Sequence, residues 1–229
     1  MNGNNQWEYI KDTVDEKGQY NFQALTADYI RLEVKPSDEK NKKILSENQY
    51  IWVDRTIKAK IDLRLIESDF SKLIRLDVQE LGSITDEVYD IAEKAFKKDR
   101  RFFLSVDYKE EIGHRVLRDY IFQQSQKNHV IFGCYYEKKM IGVLIALKLD
   151  PHTYETVLGA ILPEWQAKGA GISLYAYEFD VLKKRDGRTL YSRISTDNTA
   201  SLNLHLSLSQ GNISFLQPLD IFLKKQEGE

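Results

Sequence analysis

Cysteine is nearly missing from this chain. Cys134 stands alone among 229 residues, so no intramolecular disulfide can form and a reducing compartment suits the protein. Its setting, Val-Ile-Phe-Gly-Cys-Tyr-Tyr, is apolar and predicts a buried structural thiol rather than a nucleophile. Long apolar runs are missing too: nothing reaches the roughly 18 residues of a spanning helix, so no membrane span is expected. The opening MNGNNQWEY is polar and argues against a signal peptide, which makes a cytoplasmic location the expectation. Neither sign of charge dominates. The 33 basic and 35 acidic side chains are mixed along the chain for a net charge of −2, leaving no basic field for nucleic acid and no charged tail. Four scattered histidines and one cysteine supply no metal-ligand spacing, so no metal is expected. No serine sits in a nucleophile-elbow pattern, which removes Ser-His-Asp catalysis from consideration.

What remains is an ordinary globular composition, 42% apolar and 30% charged, in a chain long enough to bury a sizeable core. Residues 1–68 read as a small partial α/β unit. Within it, residues 29–34 alternate as a strand that stops at Pro36, Ser37 opens a short helix to about residue 46, and residues 50–65 alternate again as one or two strands. Residues 69–229 read as the main domain. A strand is expected at residues 73–78. A helix follows, with Ile84, Val88, Ile91, Ala92, Ala95 and Phe96 on one face. After a charged, aromatic loop at residues 99–107 come a second helix at 110–126 and strands at 130–136, 140–147 and 153–162. The first two of these strands form a hairpin without glycine. A helix from Ile172 to Lys184 ends near Gly187, and strands at 190–195 and 214–224 complete the order.

The most informative stretch is residues 159–174, GAILPEWQAKGAGISL. It reads as strand, glycine-containing turn, helix. The first turn of a helix carries N–H groups with no intrahelical partner and a partial positive charge. Gly169 and Gly171 let backbone approach a ligand closely. With Lys168, the turn Gln166-Ala167-Lys168-Gly169-Ala170-Gly171 therefore suits a phosphate or pyrophosphate. It is not a P-loop, because G-x-x-x-x-G-K-[ST] is absent. It is not a dinucleotide fingerprint, because Leu174 stands where a third glycine is wanted.

Pro163, Gln166, Gly169 and Gly171 instead fill the pattern x-P-x-x-Q/R-x-x-G-x-G/A, and the stretch resembles the acetyl-CoA motif of the GNAT acetyltransferases. The strand and helix order over about residues 73–225 is similar to that family as well. The resemblance implies a GNAT fold of the α/β (α+β) class: a central mixed, mostly antiparallel sheet flanked by helices, with the small N-terminal unit in front. More narrowly, residues 45–54 and the stretch from Phe96 through Arg101 and Asp107 resemble dTDP-fucosamine acetyltransferases. That likeness implies a nucleotide-linked amino sugar as the amine acceptor, and it leaves a homodimer open. The rival readings are a GNAT enzyme for a peptide, amino acid or polyamine amine, and a non-catalytic module that binds CoA.

Residues 199–209, TASLNLHLSLS, alternate strictly and by period alone read as a strand. The family order wants a helix, and Asn198 can cap one, so a helix is expected. On a helix the seven residues from Asn198 to His205 are two turns, placing both on one side. The resemblance implies direct transfer of acetyl from acetyl-CoA. Backbone at Ala160, Ile161 and Leu162 would polarise the thioester, and Asn198 would hold the pantetheine arm or a water. His205, at a position commonly held by Tyr, would protonate the thiolate. Arg101 is the candidate contact to a sugar or diphosphate. Glu155, Asp107 and Glu111 are candidate bases.

Overall fold

The computed structural model describes residues 8–10, 29–34, 50–97 and 110–225. The helix expected at 37–46 and the loop at 99–107 lie outside them. The described strands are β1 (Glu8–Ile10), β2 (Tyr29–Val34), β3 (Tyr50–Asp62), β4 (Asp77–Leu81), β5 (His129–Tyr136), β6 (Lys139–Asp150), β7 (Thr153–Ile161), β8 (Thr189–Ser195) and β9 (Ile213–Lys225). The helices are α1 (Asp86–Phe96), α2 (Glu110–Ser125), α3 (Ala170–Lys184) and α4 (Thr199–Ser209). The strands form one sheet in the order β1-β2-β9-β3-β8-β7-β6-β5-β4. β4 to β7 form an antiparallel meander, β7 and β8 run parallel, and β3 lies antiparallel to both β8 and β9. This is the mixed, helix-flanked sheet that the sequence resemblance implied.

The centre of the sheet is buried on both faces. Met140 to Leu147 of β6 are buried without interruption, and in a strand of period two this requires cover on each side. α1 and α3 both pack on β6 and supply that cover. Phe132, Leu144, Phe179 and Leu182 are fully buried between these layers, each contributing about 1.5–3 kcal/mol of burial. Cys134 is buried among them, and desolvation pushes its thiol up to about 11, as a structural thiol requires.

Local chemistry explains most boundaries. The hairpin between β5 and β6 turns on Glu137 and Lys138, both at positive φ (49° and 67°). Two left-handed residues match the twist of a two-residue turn, here without the usual glycine. At the end of α3, Asp186 takes the left-handed position (φ 58°) while Gly187 donates to the Leu182 carbonyl at 2.8 Å and Asp186 to Lys183 at 3.0 Å. Gly187 is thus the second residue of a Schellman cap, one place beyond where a C-terminal glycine usually sits. The strand expected at 73–78 is displaced: β4 begins at Asp77. Residues 70–72 instead form a 3₁₀ turn capped by Asp69, and the Arg75 N–H donates to Ser173 Oγ at 3.1 Å. Leu73, Ile74 and Leu76 pack against the core as a loop, so their alternation marked burial rather than a ladder.

Residues 199–209 are a helix. Asn198 Oδ1 accepts from the Ser201 N–H at 2.9 Å, and Gln210 (φ 53°) ends the helix in the left-handed region. His205, Leu208 and Ser209 are buried, the i, i+3, i+4 spacing of one helical face. Topology required this. β8 and β9 are both antiparallel to β3, hence parallel to each other, and parallel strands need a crossover.

Candidate active site

β7 and β8 pair only from Thr153–Thr189 to Thr156–Ser192. Beyond that point β7 stays with β6 as far as Ile161, and β8 stays with β3 as far as Ser195. The two strands therefore part like the arms of a V. The cause is local. The β6–β7 register slips so that Ile145 faces Leu158 and Ala146 faces Thr156, leaving Val157 as a bulge residue. A bulge bends its strand and increases its twist. The Val157 carbonyl accepts from Tyr120 Oη of α2 at 2.9 Å. The β7 backbone at Gly159, Ala160 and Ile161 has no ladder partner in β8.

The chain then turns directly into α3. Leu162 and a 3₁₀ turn at Pro163–Trp165 lead to Gly169 at φ +83°, the N-cap of α3. Gly169 brings no side chain to cap the helix, and a Cβ built on it would meet nothing within 4 Å. The first-turn N–H groups at Ala170 and Gly171 thus stand at an open helix N-terminus beside Lys168. Gln166 Nε2 donates back to the Ile161 carbonyl at 3.1 Å, and Ala167 lies in the turn that follows, between Gln166 and Lys168. Lys168 Nζ stands 5.1 Å from the centre of the Trp165 ring, which packs 4.6 Å from Tyr136. The residues singled out in the sequence as a phosphate cradle are contiguous here with the open arm of the V.

Beneath the V, α3 contributes two residues that the sequence reading passed over. Tyr175 is buried, with its hydroxyl where a Cβ on Gly159 would stand. Burial, and then the charge of Glu178, pushes its phenol upward. Glu178 is 0% exposed, and its Oε1 accepts from Thr156 Oγ1 at 2.6 Å. Desolvation raises its carboxyl to about 8. Both were detectable: Leu174, Tyr175, Glu178, Phe179 and Leu182 mark one helical stripe, and a glutamate on an apolar stripe signals a buried carboxyl.

His205 faces inward from α4 and is buried, its ring edge-on to Tyr175 at 5.0 Å. Its Nδ1 lies 2.7 Å from the Ser201 carbonyl, while Nε2 is buried without a partner. The neutral ring therefore carries its proton on Nδ1, spent on Ser201, and has none to give at Nε2. Desolvation lowers its pKa and favours this neutral form. The expected donor role runs against this chemistry: the ring as held accepts a proton rather than donating one. Asn198, two turns away, is exposed and uses its Oδ1 as the helix cap.

Glu155 is 13% exposed and lies 3.0 Å from Arg193 Nε and 3.6 Å from Lys58 Nζ. Lys58 also sits 4.3 Å above the Tyr191 ring. Glu155 is thus engaged by two cations rather than held free as a base. Arg101 and Asp107 lie outside the described residues, and Glu111 lies in the first turn of α2.

Residues 85–209 match the Acetyltransferase (GNAT) family. The chain belongs to that family. It is an enzyme of the acyltransferase class. No curated protein matches the chain. Solved structures share the fold of this GNAT acetyltransferase at low identity. A functionally unknown conserved protein from Staphylococcus epidermidis ATCC 12228 is similar at TM-score 0.60 and 14% identity, over 88% of this chain and 74% of that one. A GCN5-related N-acetyltransferase from Sphaerobacter thermophilus gives 0.56 and 10%, over 88% and 61%. The GCN5-related glucosamine N-acetyltransferase region of a fungal multi-domain β-N-acetylglucosaminidase gives 0.56 and 12%, over 88% of this chain and 26% of that one. This chain spans less than two thirds of the latter two. Among the described residues, no helix is long and apolar enough to cross a membrane.

Proposed function

We propose that this GNAT acetyltransferase transfers acetyl from acetyl-CoA directly to the primary amine of a nucleotide-linked amino sugar, in the cytoplasm. One observation carries the acetyl-CoA part. The β7–β8 ladder stops at Thr156 and Ser192, and the freed arm of β7 runs straight into the left-handed Gly169 and the open N-terminus of α3. An extended pantetheine arm can lie along the backbone of Gly159 to Ile161, as a strand would. Its pyrophosphate then reaches the N–H groups after Gly169, with Lys168, Gln166, Ala167, Ala170 and Gly171 around it. Ala160, Ile161 and Leu162 would hold the arm and bring the thioester down beside Gly159 to the vertex of the V, and the Asn198 amide would hold the arm or a water.

The acceptor class is supported by charge. Glu155, Tyr191, Arg193, Lys58 and Lys60 share one face of β7, β8 and β3, because Glu155 pairs with Tyr191, Tyr191 with Lys60, and Arg193 with Lys58. Lys58, Lys60 and Arg193 outnumber Glu155 at the middle of this face, Asp62 at its end being paired to Arg64, and a local cation surplus suits an anionic diphosphate better than a polyamine. The likeness to dTDP-fucosamine acetyltransferases adds to this, with Arg101 and Asp107 as acceptor contacts. In this reading residues 1–68 shape the acceptor side and residues 69–229 form the transferase domain. A peptide or amino-acid amine is the second reading.

Thiol release from acetyl-CoA, measured with dTDP-amino sugars, amino acids, peptides and polyamines, tests the proposal. Turnover of the dTDP-amino sugar is expected to be highest. Turnover of a peptide or amino acid alone would remove the nucleotide sugar, and no turnover with acetyl-CoA bound would favour the non-catalytic module. His205→Ala separates the donor role from a packing role. Donation by His205 requires kcat to fall about 10²–10⁴-fold. The expected outcome is a lowered melting temperature, with kcat changed less than tenfold.

A further inference from the structure

At the vertex of the V lies a group that neither the cofactor cradle nor the acceptor face uses. Thr156 is the last β7 residue paired with β8 and directly precedes the Val157 bulge. Its partner Ser192 is buried on the same face, toward α3. Glu178 of α3 reaches this point from below. Its Oε1 accepts a hydrogen bond from the Thr156 hydroxyl at 2.6 Å, and its Oε2 is buried without a partner. A carboxylate enclosed this way, with one hydroxyl for solvation, is costly, so the group is held as the neutral acid. With Oε1 accepting, the acid proton belongs on Oε2. The vertex therefore carries an O–H donor for which the protein supplies no acceptor.

We propose that Glu178 donates the proton that the CoA thiolate takes as it leaves, an assignment that rests on the acetyl-CoA reading above. The neutral amine attacks the thioester carbon and the C–N bond forms. The C–S bond then breaks, with its electron pair going to sulfur. Oε2–H passes its proton to sulfur, and the carboxylate left behind recovers a proton from the acylated nitrogen, directly or through water. The net change moves one proton from amine to thiol and consumes nothing else. The match is close, since a free thiol has a pKa of about 8.5 and burial holds Glu178 at about 8. Glu178 and His205 flank Tyr175 and are displaced in opposite directions, the pattern of a proton-holding acid and a proton-free acceptor.

Few other groups bear on this titration. Tyr175, on the same helix, is the titratable side chain whose ionisation the Glu178 charge opposes. His205 stands beyond the Tyr175 ring on α4. From the sheet, Thr156 faces Glu178 with its hydroxyl and Ser192 lies beside it on the same face, while their neighbours Glu155 and Arg193 point to the opposite face.

Glu178→Gln in the full chain keeps the size, the neutrality and an oxygen for Thr156, and removes only the acid. Calorimetry with acetyl-CoA, thiol-release kcat at saturating acceptor, and kcat between pH 6 and pH 10 are the measurements. The expected result is an acetyl-CoA affinity within about twofold of wild type and a kcat lower by about 10²–10³-fold. The fall in wild-type kcat above about pH 8 should be absent from the variant. A variant kcat equal to wild type overturns the assignment, as does a lowered kcat that keeps the wild-type pH profile, which would mark a structural role. The wild-type profile is an independent check should the variant not fold: no decline above about pH 8 overturns the assignment as well. A wild type that binds no acetyl-CoA sinks the transferase reading and this one together. Normal binding and turnover with an indifferent Glu178→Gln sinks this one alone.

Discussion

Single residues in this protein act through what they leave out or hold back. Gly159 lacks the one atom that would collide with Tyr175, because a Cβ there overlaps the phenolic hydroxyl. Gly159→Ala is expected to cost about 1–3 kcal/mol through forced repacking. Adding Tyr175→Phe, which removes the overlapping oxygen, should restore part of the lost melting temperature. Glu178 makes a second prediction, in stability against pH. Its folded pKa is raised from 4.5 to about 8, so the folded state binds the proton more tightly than the unfolded chain. Its stabilising contribution is complete below about pH 4.5 and is lost as pH rises toward 8, at up to about 1.4 kcal/mol per pH unit. His205 works the other way. Its folded pKa is lowered from 6.5, so its contribution is lost as pH falls below that value. The two oppose each other below pH 6.5, which makes the interval from about 6.5 to 8 the clean window. Urea unfolding across that interval should show wild-type stability falling with pH and Glu178→Gln nearly flat. A flat wild-type profile would contradict the buried neutral acid.

At the level of elements, the turn from β7 into α3 and the crossover helix α4 show different degrees of legibility. The turn could be read directly, since Pro163, Gly169 and Gly171 are local signals and Gly169 does adopt a positive φ of 83°. Its glycine is free for a purpose other than packing, as a Cβ would touch nothing. Gly169→Val is therefore expected to fold with a loss of about 1–2 kcal/mol from left-handed strain, yet to bind acetyl-CoA at least tenfold more weakly by calorimetry. Unchanged affinity would place the pyrophosphate elsewhere. α4 could not be read from its own pattern. Leu202, Leu204, Leu206 and Leu208 alternate as in a strand, but on the helix Leu208 is buried and Leu206 is 39% exposed. The crossover between parallel β8 and β9 outweighed the local period.

Across the whole molecule, the decisive feature is β3. It enters the sheet between β8 and β9 and hydrogen-bonds both, with register shifts between Trp52 and Asp54 and between Thr56 and Lys58. The arm of the V formed by β8 is thus backed by a strand from the front of the chain. A fragment of residues 69–229 would leave β8 and β9 with bare edges in the middle of the sheet. It is expected to lack a cooperative thermal transition, whereas the full chain unfolds in one. Cooperative unfolding of the fragment at the wild-type temperature would show that β3 is dispensable.

The amino-acid order alone determined, α4 apart, the series of strands and helices from β4 onward to within a few residues, the left-handed glycine turn before α3, and the buried state of Cys134. Each depends on neighbours in sequence: period, caps and backbone freedom act over one or two turns. Only the tertiary structure decided that β3 backs β8, that Val157 bulges and parts β7 from β8, and that Glu178 and His205 meet Tyr175 in a dry interior. A strand's alternation fixes which face it buries but not which strand lies beside it. A carboxyl or imidazole reveals its protonation state only when the surroundings that exclude water are in place.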